Sequence, residues 1–210
     1  MRTLQKTWTH AVPLATMAAA AVILAQVARG QEEALLKNGG FEAVRTAKPG
    51  ADGLVSGWKL GDPPEMPESW TLNSHYVGQL AIGTEQPYSG ERFVRITAPD
   101  EGSAHLYQMC TGLEAGKWYE VSAWVRGGPL VIHFYEYFDG RPIGGQTVAQ
   151  GRSKGNEWRR LSGYYRPGGE GYLRSALAVY ASQGHSAEVD DVKIAPLELP
   201  EGADQGPDIT

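Results

Sequence analysis

The sequence predicts an all-β fold, a jelly-roll β-sandwich of two antiparallel sheets. Three observations support this prediction. Short segments alternate apolar and polar residues with a period of two, turns containing Gly or Pro separate these segments, and no stretch sustains a helical period of 3.6 residues. The 27 glycines among 210 residues suit a chain with many tight turns. Many short strands without helices are typical of sandwiches and jelly rolls.

The strands are predicted in chain order from these alternations and turns. Residues 35–42 form a short first strand, and Trp58, Trp70 and residues 78–83 mark short strands within a region rich in Pro and Gly. Residues 63–68 are predicted to be a surface loop, because each Pro removes a ladder donor. The clearer strands are predicted over residues 92–97, 104–110, the two halves of 118–138, 146–149, 158–166, 172–181 and 186–194.

Residues 118–138 carry the most informative pattern, two strands joined by a Gly-Gly-Pro turn, which we interpret as a hairpin. In both strands the aliphatic residues occupy alternate positions and are predicted to face the interior. The opposite face of this hairpin is then predicted to carry Trp124, Arg126, His133, Tyr135 and Tyr137. Ligand binding is one explanation for rings on a face away from the core, and packing beneath a covering loop is the other.

Residues 1–30 are predicted to be a secretory signal peptide. Arg2 and Lys6 form a basic start, an apolar run covers residues 11–28, and Ala28 and Gly30 are the small residues that a signal peptidase reads. An uncleaved membrane anchor is the alternative, since the run is nearly long enough to span a bilayer. Residues 31–195 are then one sandwich domain, and the acidic tail 196–210 is predicted to be disordered.

The charge and the cysteine content limit the partners. The chain has a net charge of −5, and removal of Arg2, Lys6 and Arg29 with the signal leaves 16 basic against 24 acidic residues, a net charge of −8. Such a charge argues against nucleic acid, and against a membrane surface once the signal is cleaved. The single Cys110 excludes an intramolecular disulfide, and its apolar strand pattern predicts a buried thiol.

Five segments taken together resemble the carbohydrate-binding modules of families four and nine, which are secreted jelly rolls. These segments are NGGFE at 38–42, YSGERFVRI at 88–96, YQMCTGLEAGKWYEVSAWVR at 107–126, Trp158 before a strand, and VDDVKI at 189–194. Their order and spacing cover about residues 35 to 195. Each segment alone is a weak signal, so the resemblance implies the fold more strongly than the function.

The resemblance implies a structural calcium ion that joins the first strand, the last strand and an early turn. The implied ligands are the carboxylates of Glu42 and Asp190 and the carbonyls of Gly40, Ser89 and Arg92. Calcium takes six to eight oxygen ligands, and carboxylates with turn carbonyls can supply them. The alternative is that both carboxylates are solvated strand-end charges or pair with a Lys or Arg.

The resemblance also implies a sugar-binding groove across a concave sheet. Aromatic rings stack on the apolar faces of a pyranose, and polar side chains bond its hydroxyl edges. The hairpin residues Trp124, Arg126, His133, Tyr135 and Tyr137 would line that groove. Tyr107 and His105 are further candidates, although Leu106, Gln108 and Cys110 compete with Tyr107 for the interior.

The sequence contains no phosphate-binding loop and no zinc-type Cys/His spacing, and we expect no enzyme. We expect a secreted, monomeric, non-catalytic protein, periplasmic or extracellular, that binds a polysaccharide or oligosaccharide. Two alternatives stay open. One is a surface or matrix protein that uses the jelly roll for protein contact. The other is a jelly-roll polysaccharide lyase using Arg126, His133 and Tyr135.

Overall fold

The computed structural model describes residues 35–47, 57–168 and 174–198. In these residues the chain forms strands and turns without helices, and none of them belongs to a helix that could cross a membrane. The strands, in chain order, are β1 (Val44–Thr46), β2 (Lys59–Leu60), β3 (Glu65–Pro67), β4 (Thr71–Leu72), β5 (Gln79–Gly83), β6 (Phe93–Thr97), β7 (Ala104–Met109), β8 (Tyr119–Gly127), β9 (Leu130–Phe138), β10 (Arg141–Gly151), β11 (Arg159–Tyr165), β12 (Arg174–Ala181) and β13 (Ser186–Pro196).

Two sheets form the sandwich. One has five strands in the order β10-β9-β12-β7-β4, and the other has six in the order β11-β8-β13-β6-β5-β2. All neighbours in these sheets are antiparallel except β2 and β5, which run parallel. A separate ribbon pairs β1 with β3. The all-β sandwich predicted from the sequence is therefore confirmed.

The core lies between the sheets and is built from the aliphatic sets that the alternation predicts. From β8 it takes Val121, Ala123 and Val125, and from β9 it takes Leu130, Ile132 and Phe134, all fully buried. Cys110 is buried as predicted, and burial raises its thiol pKa to about 12. The side chains that alternate with these residues point away from the core, on the outer faces of the two sheets.

Several local predictions are wrong. Residues 35–42 form turns instead of a first strand, and β1 begins only at Val44. Residues 63–68 are not a simple surface loop, because they include β3, whose Met66 is only 1% exposed. Pro67 is tolerated in β3 because this strand pairs only with β1, in a two-stranded ribbon separate from both sheets. Every strand of such a ribbon is an edge strand, where a Pro without an N–H donor can be accommodated. The predicted signal peptide lies outside the described residues, as does the predicted tail from residue 199, while Pro196, the first residue of that tail, is the last residue of β13.

Candidate functional site

Strand β9 presents His133, Tyr135 and Tyr137 on the outer face of the five-stranded sheet. All three are partly exposed, while Ile132 and Phe134, which alternate with them along β9, point into the core. This is the side-chain direction that the alternation predicts for the second half of residues 118–138. Their role in binding remains a prediction.

The predicted hairpin across residues 118–138 is wrong, because β8 and β9 belong to different sheets. Strand β8 is paired on both edges, with β11 and with β13, and so has no edge left for β9. At the end of β8 the chain leaves the sheet at Gly127, where φ is +85°. The next residue, Gly128, lies against β13 so closely that a Cβ there would be 2.5 Å from the carbonyl oxygen of Ser186. The chain then crosses to the other sheet.

Trp124 and Arg126 consequently lie on the outer face of the six-stranded sheet, away from His133, Tyr135 and Tyr137. Period-two alternation separates core-facing from outward positions, but it does not tell which sheet a strand joins. One surface containing all five residues is therefore excluded. The lyase alternative loses its predicted constellation, because Arg126 and His133 are on opposite sheets.

Arg126 is a structural residue rather than a free ligand-binding cation. Its side chain is 7% exposed, and its Nε donates to Glu188 Oε2. Its Nη1 and Nη2 donate to the carbonyls of Gln86 and Glu85 at 2.9 and 3.1 Å. The guanidinium also lies over the Trp158 ring, 4.5 Å from its centroid. These contacts engage all three nitrogens of the guanidinium group.

Among the described residues, seven rings lie together on the outer face of the five-stranded sheet. We call the surface that they form the aromatic face. Its members are Tyr76, His105, Tyr107, His133, Tyr135, Tyr137 and Tyr180. Three of these residues form a stack in which the His105 ring lies between Tyr76 and Tyr180, with centroid distances of 4.2 and 4.0 Å. Tyr76 is 42% exposed, so the stack ends at the surface.

A hydrogen-bond chain orients the centre of the aromatic face. His105 Nε2 and Ser103 Oγ are 2.7 Å apart, and His105 Nδ1 and the Tyr135 hydroxyl are 3.2 Å apart. The His133 and Tyr135 rings are in contact, with their centroids 4.5 Å apart. His105 is thus buried as a positioning group, and its neighbours carry the exposed ring surface.

Small residues on β12 allow the rings of β7 and β9 to form one surface. In the register of the sheet, Ala176 lies opposite Tyr135, and Ala178 lies between His133 on β9 and Tyr107 on β7. Tyr135 reaches across β12 to His105 because alanine leaves space there. Tyr107 is therefore on the outer face, and Leu106 takes the interior position.

Strand β10 fixes the ring of His133. Thr147 lies opposite His133, and its Oγ1 is 3.1 Å from His133 Nδ1. The ring lies over Gly145, where a Cβ would be only 2.5 Å from Nε2. A larger residue at 145 would displace the imidazole, so the glycine is required for this geometry.

Both imidazoles of the aromatic face are neutral at neutral pH, and Arg174 of β12 places one cation opposite Tyr137. Burial lowers the pKa of His105 to about 4, with a smaller contribution from the nearby His133, and burial also lowers the pKa of His133. Burial raises the pKa of Tyr135 to about 12 and raises those of Tyr137 and Tyr180. The surface therefore offers apolar ring faces with neutral hydroxyl and imidazole groups, a chemistry that suits a neutral polyhydroxylated ligand.

Two members of the aromatic face were missed by sequence reasoning. Tyr180 alternates with Leu177 and Val179 on β12, so the same alternation rule could have found it. Tyr76 lies between β4 and β5 in a segment without regular alternation, and no sequence signal places its ring over His105.

The carboxylates of Glu42 and Asp190 reach the same turn, as the implied calcium site requires. Glu42 Oε1 accepts hydrogen bonds from the amides of Glu91 and Arg92 at 3.0 and 3.3 Å, and Asp190 Oδ2 accepts one from Ser89 at 2.9 Å. Asp190 is fully buried, and burial raises its pKa although backbone amides oppose that shift.

The donor set around this turn fits calcium in its chemistry. Both side chains supply hard oxygen atoms, and within the described residues no Lys or Arg side chain neutralises buried Asp190. No group of three or more His, Cys, Asp or Glu side chains occurs there that could hold a metal by side chains alone. Backbone carbonyls would have to complete such a site, and the resemblance assigns that role to Gly40, Ser89 and Arg92.

Several solved structures with similar folds are carbohydrate-binding modules. The "CBM22-2 xylan-binding domain" of Paenibacillus barcinonensis Xyn10C is 12% identical, with a TM-score of 0.53 over 62% of this chain and 92% of that domain. The CBM22-1 and GH10 modules of Clostridium thermocellum xylanase 10B, complexed with xylohexaose, are 17% identical, with a TM-score of 0.51 over 62% of this chain and 26% of that one. The C-terminal family 22 carbohydrate-binding module of the same enzyme is 14% identical, with a TM-score of 0.50 and coverage of 62% and 87%.

At these identities the similarities show the fold alone, which is a jelly roll. The neighbours named here are modules of family 22, and the predicted resemblance to families four and nine is not confirmed. No protein-family model and no curated protein matches the chain.

Proposed function

We propose that this protein is a secreted, non-catalytic carbohydrate-binding protein that docks a polysaccharide on its aromatic face. The observation that carries the proposal is the set of seven neighbouring rings on one sheet face, uncharged at neutral pH and held in place by His105, Thr147 and two alanines. Partly exposed tyrosine rings can stack on sugar faces, while the Tyr and His polar atoms bond hydroxyl groups. The net negative charge of the protein favours a neutral glycan over a polyanion, and Arg174 beside Tyr137 adds a hydrogen-bond donor for a hydroxyl group.

Xylan is the first glycan to test, because one structural neighbour is described as a xylan-binding domain and another was solved in complex with xylohexaose. A xylan chain is uncharged along its backbone and presents alternating apolar faces and hydroxyl edges, which suits the aromatic face. The protein would act as a monomer, since one sheet supplies all the rings.

A calcium ion held by Glu42 and Asp190, with the carbonyls of Gly40, Ser89 and Arg92, would support the fold and not the sugar contact. Such an ion would join the segment before β1, the turn before β6 and strand β13 in a protein that cannot form an intramolecular disulfide. Its charge would neutralise buried Asp190.

Affinity electrophoresis in gels containing xylan, a soluble glucan or a polyuronate tests the proposed function. We expect retardation by the neutral glycans, no release of sugar products, and loss of retardation in Tyr135→Ala/Tyr137→Ala. The matched control is Tyr164→Ala, which removes a partly exposed ring from the six-stranded sheet and should leave retardation unchanged. Melting curves of all variants would separate lost binding from lost folding.

Other outcomes would refute the proposal. Unsaturated products that absorb ultraviolet light would identify a lyase. Absence of retardation in every gel, together with a specific protein partner recovered by pull-down, would favour the protein-contact alternative. Equal retardation of the wild-type protein and the Tyr135/Tyr137 variant would place any glycan site elsewhere.

A further inference from the structure

A second surface with aromatic rings lies on the opposite side of the sandwich. Trp124 of β8 points outward from the six-stranded sheet, and the Tyr88 ring stacks on it at a centroid distance of 3.7 Å with an angle of 14°. Trp158 lies directly before β11, and its ring packs edge-to-face with the Tyr88 ring at a centroid distance of 6.5 Å. Tyr88 is 40% exposed, so part of this cluster is open to solvent.

Trp158 is held rigidly in this cluster. Its Nε1 donates to the carbonyl oxygen of Gln86 at 2.9 Å, and the guanidinium of Arg126 covers one ring face. Phe93 meets the same ring edge-on at 5.7 Å. The indole is therefore fixed before any ligand arrives, which lowers the entropy cost of binding against it.

A depression of about 540 Å³ opens beside the two indoles, and Trp124, Trp158, Lys154, Glu157, Arg159 and Arg160 line it. A volume of this size is within the range of small-ligand sites. It could receive one or two sugar rings, with an indole as the apolar floor.

The lining of the depression is basic, although the chain carries a net charge of −5. The residues that line it include three cations, Lys154, Arg159 and Arg160, and one acid, Glu157. Arg160 already bonds Glu120 at 2.8 Å, while Lys154 forms no ion pair within the described part of the chain. Arg159 uses Nη1 to reach the carbonyl oxygen of Arg152 at 3.1 Å and keeps its remaining donors for other partners. Lys154 and Arg159 are thus the cations best able to meet a ligand.

We propose that this depression is a second saccharide site that takes a carboxylated sugar, a uronate residue carried by an otherwise neutral glycan. The sugar ring packs on the Trp124 and Trp158 side, and Lys154 and Arg159 bond its carboxylate. A carboxylate accepts charge-assisted hydrogen bonds from such cations, which are stronger than bonds between neutral groups. A long polyanion is disfavoured because the rest of the protein is acidic and repels it.

The site is independent of the aromatic face, because the two surfaces belong to different sheets. One protein molecule could then hold two glycan segments, one neutral and one carrying a uronate. Simultaneous contacts of this kind raise the overall affinity for a polymer beyond that of either site.

Isothermal titration calorimetry with two matched oligosaccharides tests the inference. One carries a single glucuronate residue, and the other is the same compound with its carboxyl reduced to an alcohol. The titrations use the Tyr135→Ala/Tyr137→Ala protein as well as the wild type, so that the aromatic face does not hide the second site. We expect the Tyr135→Ala/Tyr137→Ala protein to bind the carboxylated compound at least about tenfold more tightly than the reduced one, with weaker binding at higher salt.

Charge variants locate the contact. Lys154→Gln/Arg159→Gln should weaken binding of the carboxylated compound about tenfold, since hydrogen bonds to a charged group are lost. The control Lys59→Gln/Lys117→Gln also removes two positive charges, at exposed positions outside the depression. It should change the affinity for the carboxylated compound less than about twofold.

Three results would overturn the inference: equal affinity for the two compounds, equal weakening by both pairs of substitutions, or no binding of the carboxylated compound. Binding that depends on Lys154 and Arg159, in a protein that binds no neutral glycan, would support this site while refuting the proposed function.

Discussion

Protonation of His105 should destabilise the folded protein, and the size of the effect follows from its surroundings. The side chain is 3% exposed, and burial lowers its pKa from 6.5 to about 4. In the unfolded chain the imidazole takes up its proton near pH 6.5, whereas the folded protein resists protonation until about pH 4. Folding therefore loses stability as the pH falls between these two values, and not above them.

The magnitude is at most about 3.5 kcal/mol, since a shift of one pKa unit corresponds to about 1.4 kcal/mol. It is an upper limit because Tyr76 and Tyr180 stack on the ring, and a cation between two phenol rings gains some favourable interaction. His133, whose pKa burial also lowers, adds in the same direction.

Urea unfolding at several pH values between about 7 and 4 measures the effect, with the slope of stability against pH as the readout. In His105→Gln this slope should become shallower, whatever the stability at pH 7. His75→Gln removes an exposed imidazole and should keep the wild-type slope. Identical slopes in the wild type and His105→Gln would refute the reasoning, because they would mean that the buried imidazole is not held neutral.

Three further predictions follow from buried groups. If calcium binds at Glu42, a chelator should lower the melting temperature, and added calcium should restore it in the wild type but not in Glu42→Gln. An unchanged melting temperature would remove this metal site. Arg126→Met should cost about 2 kcal/mol in urea unfolding, because Glu188 keeps only Arg95 as a cationic partner and the carbonyls of Glu85 and Gln86 lose their donor. A loss below about 1 kcal/mol would contradict the role assigned to Arg126. Cys110 should resist alkylation in the native protein and react in denaturant, because its thiol is buried and its pKa is raised; rapid native labelling would show that it is accessible.

The sequence predicted which side chains leave the core but not which surface they share. Period-two alternation placed His133, Tyr135 and Tyr137 outward on β9, and the same rule placed Trp124 outward on β8. Alternation is a property of one strand, whereas the partners of a strand depend on hydrogen bonds between distant segments. The Gly-Gly-Pro turn after Arg126 was therefore interpreted as a hairpin although it carries the chain between sheets.

The contribution of loops was the other part that the sequence did not reveal. Tyr76 reaches His105 from a segment without periodicity, and the buried Met66 lies in a Pro-rich stretch that resembles a surface loop in composition. In both cases tertiary packing decides the position, and composition carries no information about it. The turn that Glu42 and Asp190 share was located only through the family resemblance.

Chemical-shift mapping by NMR during titration with xylohexaose tests most directly whether the aromatic face binds a glycan. We expect the perturbed backbone amides to cluster on β7, β9 and β12, around Tyr107, Tyr135 and Ala178, and the perturbations to saturate with ligand. Saturable shifts confined to β8 and β11, or no shifts with any neutral glycan, would contradict the proposed function.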